Sequence, residues 1–551
     1  MEKDNIRLKY VYSLFIISFF ILSIRIAYLQ LFKSTFFKNL SKNQYFYVIP
    51  IEGKRGKIFD VKNRLLATSI GSYSLFVDPT RIENINLVAS ILSSNLGIPK
   101  DDILNKLNKN KRFVWIKRKL SLDEKEKIDN LRLKGIGFIR EYKRVYIQKN
   151  LARQLIGAVD TDNKGISGLE IYYDNYLRGK NGYATVLRDS LSREIFINPN
   201  IISPKEGSNI TLTIDAQIQF WAEKYLVETI EKFSAQHGSV VIMRADTGEV
   251  LALANYSKDN SNRNFAICDS FEPGSVFKIV TLLASIESGK FSDDYKIFCE
   301  NGEYKIPGTT LNDWKPYGLL SFREVFKKSS NIGVAKIANI LGKSTIYNYI
   351  KKFGFGEKTG VDFFGEAPGR IKPPHTWSKT SSYIIPIGQE VSVNLMQLVV
   401  AFASIVNGGY LVKPYLLKNV ESEFMSKEIK FEKRKIFSES AVERAKKILI
   451  EVVEDGTGVL AKVDGLTIGG KTGTAQVYDP VIGRYSSKDY RASFVGFIDN
   501  PDFPLVIGVS IFGPKKSHFG GVVAAPLFRK IAEKISIYFG LKDKNEAKRN
   551  I

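Results

Sequence analysis

The stretch Phe271-Glu272-Pro273-Gly274-Ser275-Val276-Phe277-Lys278, FEPGSVFK, decides how the rest of the chain is read. Glu272-Pro273-Gly274 places a turn directly before an apolar run at residues 276–283 that predicts a helix, with Ser275 in its first turn. Ser275 and Lys278 make an SxxK pair. Positions i and i+3 share one helix face, so a desolvated Lys278 amine can take the Ser275 proton and turn the hydroxyl into a nucleophile. The helix N-terminus disfavours a nearby ammonium and stabilises a developing oxyanion.

Alone the pair is a weak signal, because about two or three SxxK matches arise by chance in a chain of this composition. Its company raises its weight. Ser329-Ser330-Asn331 supplies an SxN element where a helix gives way to a loop, and Lys471-Thr472-Gly473-Thr474 opens a strand near the C-terminus. Serine and asparagine side chains relay protons and hold amides, and a Lys-Thr pair on a strand edge binds a carboxylate. A second Lys-Thr-Gly, at residues 358–360, has glycines on both sides and reads as a loop. Lys471 is preferred because its strand leads into others that can return to the Ser275 helix.

Around these motifs the chain reads as α+β. Residues 211–215 and the two apolar runs flanking Asp246-Thr247-Gly248 predict strands, as do residues 473–477, 492–498 and 505–512. Helical patterns cover residues 120–133, 217–233 and 522–539. An antiparallel sheet built from both ends of this region, covered by the mostly helical stretch 275–460, is the architecture expected. The stretch NPNIISPKEGS at residues 198–208 punctuates the chain and places a domain boundary there. The expected domains are a cytoplasmic start at 1–9, an anchor at 10–32, an elongated mixed pedestal at 33–205, a catalytic domain at 206–540 and a polar tail at 541–551.

The anchor reads YVYSLFIISFFILSIRIAYLQLF, whose 23 residues match a bilayer core at about 1.5 Å each. Arg25 interrupts it near the distal end, where a long side chain can snorkel. Lys3, Arg7 and Lys9 before it are matched by Lys33, Lys38 and Lys42 after it, so charge alone does not fix the orientation. With 551 residues and 44% hydrophobic content the chain can bury sizeable cores. The net charge of +24 is scattered rather than gathered into a stripe, which argues against a nucleic-acid partner and leaves attraction to anionic membranes or wall polymers open. Cys268 and Cys299 lack zinc-ligand spacing; they are two free thiols or, outside the cytoplasm, one bridge.

The order SxxK, SxN, KTG in one chain resembles the penicillin-recognising serine acyltransferases, and further matches point to class B penicillin-binding proteins. Arg55-Gly56-Lys57-Ile58-Phe59-Asp60 is similar to that family's RGxIxD start, Gly168-Leu169-Glu170 to its GLE motif, and Gly179 and Gly182 to the glycines that follow. In the family these belong to the pedestal and its junction. The FEPGS context, Lys327 to Gly333 and Gly469 to Gln476 resemble the division-type members, and Gly456-Thr457-Gly458 is similar to a further family position. Two departures stand out: Asp60-Val61-Lys62-Asn63 replaces a DRNG turn, and Glu390 and Asn394 replace the more usual Gly and Thr after Gly388-Gln389. Asn63 is tolerable in a left-handed turn; Glu390 and Asn394 leave the local loop geometry open.

The resemblance implies a peptidoglycan D,D-transpeptidase that is a target of β-lactams. Ser275 would attack a stem peptide ending in D-Ala-D-Ala, with Lys278 as base and the backbone N–H groups of Ser275 and Thr474 as oxyanion hole. Ser329 would pass a proton to the leaving D-Ala. Asn331 would hold the substrate backbone, and Lys471, Thr472, Gly473 and Thr474 would meet the substrate at its carboxylate end. No metal or organic cofactor is implied. Implied partners are the stem-peptide donor and amine acceptor, the membrane, a polytopic SEDS-type glycan polymerase and other division proteins. The implied location is the inner membrane, single-pass, with the catalytic domain outside the cytoplasm. Rival readings are an elongation-type transpeptidase, a D,D-carboxypeptidase or β-lactamase-like hydrolase, a sensor that acylates without turnover, and a division scaffold.

Overall fold

The computed structural model describes residues 2–107, 111, 113–148, 150–188, 194–195, 201–422, 425–479 and 483–541. The polar tail beyond residue 541 and part of the 198–208 stretch lie outside the described residues. The chain divides into two compact units, residues 1–54 with 179–207 and residues 55–178 with 208–551.

The first unit begins with helix Glu2–Phe32, in which Asn5–Phe32 is long and apolar enough to cross a membrane, its apolar window having a mean hydropathy of 2.1. A second helix, Ser34–Tyr45, leads into strand Phe46–Ile51, antiparallel to Gly182–Arg188. Gly182 must lack a side chain, because a Cβ there would meet the Ile202 carbonyl at 2.1 Å.

In the second unit, a five-stranded antiparallel sheet comprises β1 (His237–Arg244), β2 (Val250–Ser257), β3 (Ile468–Asp479), β4 (Arg484–Ile498) and β5 (Leu505–Phe512). Their order is β2-β1-β5-β4-β3, so strands from both ends of the region meet as the sequence implies. The strands are longer than the expected 473–477 and 492–498 because they run past the apolar core into polar pairs such as Asp479 with Arg484. Period-two alternation splits the buried residues between two cores. Val241, Met243, Val495 and Phe497 pack with helices Ile279–Glu287, Leu395–Val406 and Glu439–Glu454. Val240, Ile242, Phe494 and Val509 pack with helices Ala216–Lys232 and Ala525–Phe539. Asp215 caps the first of these last two, accepting from Gln217 N–H at 2.8 Å.

A seven-stranded sheet lies in the same unit. Its order is Met425–Glu428, Leu417–Ser422, Asn209–Leu212, Ile58–Phe59, Leu65–Val77 and Val114–Leu120, with Ile136–Tyr146 also pairing Leu65–Val77. Asn209–Leu212 is thus paired in parallel with Ile58–Phe59 and antiparallel with Leu417–Ser422. Distant parts of the chain share one sheet, which local patterning does not reveal. The helix expected over 120–133 is shorter, Leu122–Asp129, because residues 114–120 take a strand and Ser121 caps what remains.

The RGxIxD and GLE residues make a buried ionic knot. Arg55 Nε donates to Glu170 Oε2 at 2.6 Å and its Nη1 to Asp174 at 2.6 Å; Arg144 Nε donates to Glu170 Oε1 at 2.7 Å. Asn63 takes φ +60° in the turn closed by Asp60, as its conformational tolerance predicts.

Candidate active site

Ser275 sits in a 3-10 turn, Gly274–Lys278, that runs into helix Ile279–Glu287. The tighter turn differs from the α-helix expected there, and it favours the pair: three residues per turn eclipse positions i and i+3. Gly274 is what permits it. Its φ is +53°, a Cβ would come 2.9 Å from the Thr474 carbonyl, and its N–H donates to the Gly388 carbonyl at 3.1 Å. Gly388 is equally constrained, since its own Cβ would meet the Gly274 carbonyl at 2.1 Å.

The SxN element lies between helices Phe322–Lys327 and Asn331–Leu341. Ser329 adopts φ +59°, a left-handed conformation that is uncommon for a residue with a side chain and tends to cluster at functional sites. Ser330 caps the second helix, accepting from Gly333 N–H at 2.9 Å. The SxN pattern says nothing of Asp313, which organises this corner. Its Oδ2 accepts from Ser330 Oγ at 2.6 Å, and its Oδ1 accepts from the N–H groups of Asn331 and, at 3.2 Å, Ile332. Asp313 follows a small hairpin, Glu303–Ile306 with Thr309–Asn312, inside a region that reads as mostly helical.

Lys278 is fully buried and reaches across to this element. Its Nζ donates to the Ser329 carbonyl at 2.7 Å, to Asn331 Oδ1 at 2.7 Å and to Ser329 Oγ at 3.2 Å. The lysine is therefore held by Ser329 and Asn331 at the end of the same turn that carries Ser275. From strand β3, the buried Lys471 donates to Ser329 Oγ at 2.8 Å. Burial pushes Lys278 down to about 7, opposed by the Asp313 carboxylate. Burial, and then the Lys278 charge, push Lys471 well below the ordinary lysine range.

A groove of about 490 Å³ opens above these groups, lined among others by Ser275, Ser329, Asn331, Thr472 and Thr474. Thr472 Oγ1 lies 3.0 Å from Thr457 Oγ1, and Thr474 Oγ1 accepts from Gly520 N–H at 3.0 Å. Gly473 packs against the turn that carries Ser275, where a Cβ would meet Val276 Cγ2 at 2.7 Å and the Pro273 carbonyl at 2.9 Å. Ser275, Lys278, Ser329, Asn331, Lys471, Thr472, Gly473 and Thr474 thus converge on one place. The second Lys-Thr-Gly does not: Thr359 and Gly360 donate to Glu366 in a separate loop. Sequence reasoning missed Trp314 and Phe519 as groove walls as well as Asp313; no spacing relates them to the motifs.

Glu390 takes φ +57°, so the backbone form natural to glycine is kept with a side chain in place. Asn394 caps helix Leu395–Val406 in a capping box with Gln397. Both departures therefore have local support. Cys268 and Cys299 are free thiols.

This fold, with its three motifs on one groove, defines the transpeptidase class of penicillin-recognising proteins. The penicillin binding protein transpeptidase domain matches residues 238–533, and the penicillin-binding protein dimerisation domain matches residues 50–212. The chain is 32% identical over 95% of its length to stage V sporulation protein D of Bacillus subtilis, covering 84% of that protein. It is also 32% identical to the probable peptidoglycan D,D-transpeptidase PbpC of Pseudomonas aeruginosa, over 96% of this chain and 94% of the relative. The crystal structure of penicillin binding protein 3 from Mycobacterium tuberculosis, complexed with aztreonam, superposes with a TM-score of 0.70 at 26% identity, over 90% of this chain and 98% of that one. The chain belongs to the class B penicillin-binding proteins, the family of peptidoglycan D,D-transpeptidases.

Proposed function

We propose that this protein crosslinks peptidoglycan stem peptides through an acyl-enzyme on Ser275, during septal wall synthesis. The observation that carries the reading is Ser329 Oγ held between Lys278 and Lys471 beside Ser275 in one groove. Ser275 Oγ attacks the carbonyl of the penultimate D-Ala while its proton passes to neutral Lys278. The backbone N–H groups of Ser275 and Thr474 receive the oxyanion. Collapse breaks the C–N bond, and Ser329 hands the proton to the departing D-Ala amine. An acceptor amine then attacks the ester, the C–O bond breaks and Ser275 regains its proton. One amide is exchanged for another, so no external energy source is required.

Lys471, Thr472, Gly473 and Thr474 bind the donor's carboxylate end, and Asn331 holds its backbone amide. β-Lactams acylate the same serine. The apolar helix near the N-terminus anchors the protein in the inner membrane with residues 1–9 inside, and residues 33–205 act as a pedestal that docks the glycan polymerase and other division proteins. The FEPGS context supports the septal assignment.

Fluorescent penicillin labelling tests the nucleophile: Ser275→Ala should stay unlabelled while folding normally, and persistent labelling sinks the assignment. Product analysis with and without an amine acceptor separates crosslinking from hydrolysis. Side-wall rather than mid-cell localisation of a tagged protein would overturn the septal role, and a Ser275→Ala allele that still supports septation would assign the essential role to scaffolding.

A further inference from the structure

Glu272 stands three residues before Ser275 and has no part in the chemistry above. Its carboxylate nevertheless joins three separate segments. Oε1 accepts from the Glu390 backbone N–H at 2.9 Å and from the Tyr485 hydroxyl at 3.0 Å. Oε2 is buried with no hydrogen-bond partner among the described residues. A half-satisfied buried carboxylate is destabilising, so its retention needs a return in geometry.

Both partners lead to reacting groups. Glu390 lies two residues after Gly388, whose carbonyl receives the Gly274 N–H beside Ser275. Tyr485 pairs with Tyr478, four residues beyond Thr474 on β3. Between that pair and Gln476 with Tyr490 the ladder of β3 and β4 loses register, so continuous backbone pairing does not hold the strands there. The charged or titratable groups facing Glu272 are Tyr485 and the Glu390 carboxylate, which accepts from Ser381 Oγ at 2.7 Å and lies 3.9 Å from Lys372 Nζ.

We propose that Glu272 is a positioning residue for acyl transfer: its Oε1 ties the Glu390 loop and the outer β3–β4 pair to the turn carrying Ser275, fixing the spacing between Ser275 and Thr474. The inference rests on the acyl-enzyme reading. Burial also raises the Glu272 carboxyl above its ordinary range, consistent with a group held for geometry rather than solvation.

The test is the second-order rate of fluorescent-penicillin acylation of the full-length protein in detergent, with amide exchange read in parallel. Glu272→Ala should slow acylation by about 10–100-fold, the scale expected for a displacement of about 1 Å. Tyr485→Phe, which removes one hydrogen bond, should slow it about 5-fold. Glu272→Gln keeps an acceptor oxygen and should stay within about 3-fold of wild type. The loss should fall on the acylation step rather than on prior penicillin affinity, and exchange should quicken at residues 388–390 and 485–490 but not in β1 or β5. Wild-type rates in Glu272→Ala and Tyr485→Phe overturn the inference, as does a Glu272→Gln protein as slow as Glu272→Ala. If Glu272→Ala does not fold, Tyr485→Phe decides alone. A labelled Ser275→Ala protein would overturn the underlying reading instead; an unlabelled one beside unimpaired Tyr485→Phe and Glu272→Ala would overturn only the role of Glu272.

Discussion

Ser329 Oγ accepts a hydrogen bond from Lys471 Nζ at 2.8 Å, and the same oxygen lies 3.2 Å from Lys278 Nζ. Two buried ammonium groups sharing one hydroxyl repel each other, so the arrangement favours one neutral lysine. Lys278 fits that role. A neutral amine has two N–H donors, which keep the Ser329 carbonyl and Asn331 Oδ1 at 2.7 Å, and giving up the longest of its three contacts, Ser329 Oγ at 3.2 Å, frees a lone pair to receive a proton.

Acylation should therefore follow the neutral form of Lys278. Its value of about 7 means that the neutral fraction grows as pH rises through 7. The penicillin acylation rate should climb with pH across that region and flatten above it. Lys278→Ala should lower the rate by about 10²–10⁴-fold and abolish the acid limb. Rates measured from pH 5 to 10 check both; a flat profile in the wild-type protein would contradict the assignment of Lys278 as base.

Asp313 should tune the same limb. Its charge raises the Lys278 value, so Asp313→Asn should move the rise in acylation toward lower pH. The amide retains an oxygen for the Asn331 N–H, which keeps much of the hydrogen bonding of the first turn. Asp313→Ala removes the acceptor of the Asn331 and Ile332 N–H groups as well and should cost about 1–2 kcal/mol of stability, read by thermal unfolding.

The motifs of the candidate site were legible because each is local: the Pro-Gly turn before Ser275, the SxN corner and the Lys471 strand occupy a few consecutive residues. The five-stranded sheet was legible because its strands are continuous apolar runs such as Val240-Val241-Ile242. Asp313 was not, because a short polar hairpin leads into it and its partners Ser330 and Asn331 lie well along the chain. The sheet joining Ile58, Ile210 and Val420 was hidden for a related reason. Its pairings are long-range, and hydrophobic periodicity reports only which face is buried, not which strand lies beside it.

Glu170 should prove structural rather than chemical. It is fully buried between Arg55 and Arg144, so Glu170→Ala takes the shared carboxylate from two buried guanidinium groups, leaving Arg55 to Asp174 alone and Arg144 without its ion pair to Glu170. Breaking such a pair costs about 3–5 kcal/mol. Urea unfolding followed by Trp115 fluorescence should show an earlier transition, since Trp115 lies in the adjoining sheet. Penicillin labelling of the still-folded protein at low temperature should remain near wild type, as Glu170 does not line the groove.

Gly473→Ala should separate binding geometry from the lysine chemistry. A Cβ at this position would meet Ser493 Oγ at 2.4 Å, Val276 Cγ2 at 2.7 Å and the Pro273 carbonyl at 2.9 Å. Ser493 is a rotatable side chain and can give way, but the Pro273 carbonyl belongs to the backbone turn that presents Ser275. The strand must then retreat from the turn, carrying Thr474 with it, while Lys471 keeps its bond to Ser329 on the other side of the glycine. Overpacking of this kind costs about 1–3 kcal/mol, and displacing the Thr474 N–H proposed as oxyanion donor should lower acylation by about 10²–10³-fold. The pH at which acylation rises should stay where it is in the wild-type protein, because the environment of Lys278 is unchanged. A shifted acid limb with an undiminished plateau would mean that Gly473 acts through the lysines instead of through the spacing between Ser275 and Thr474.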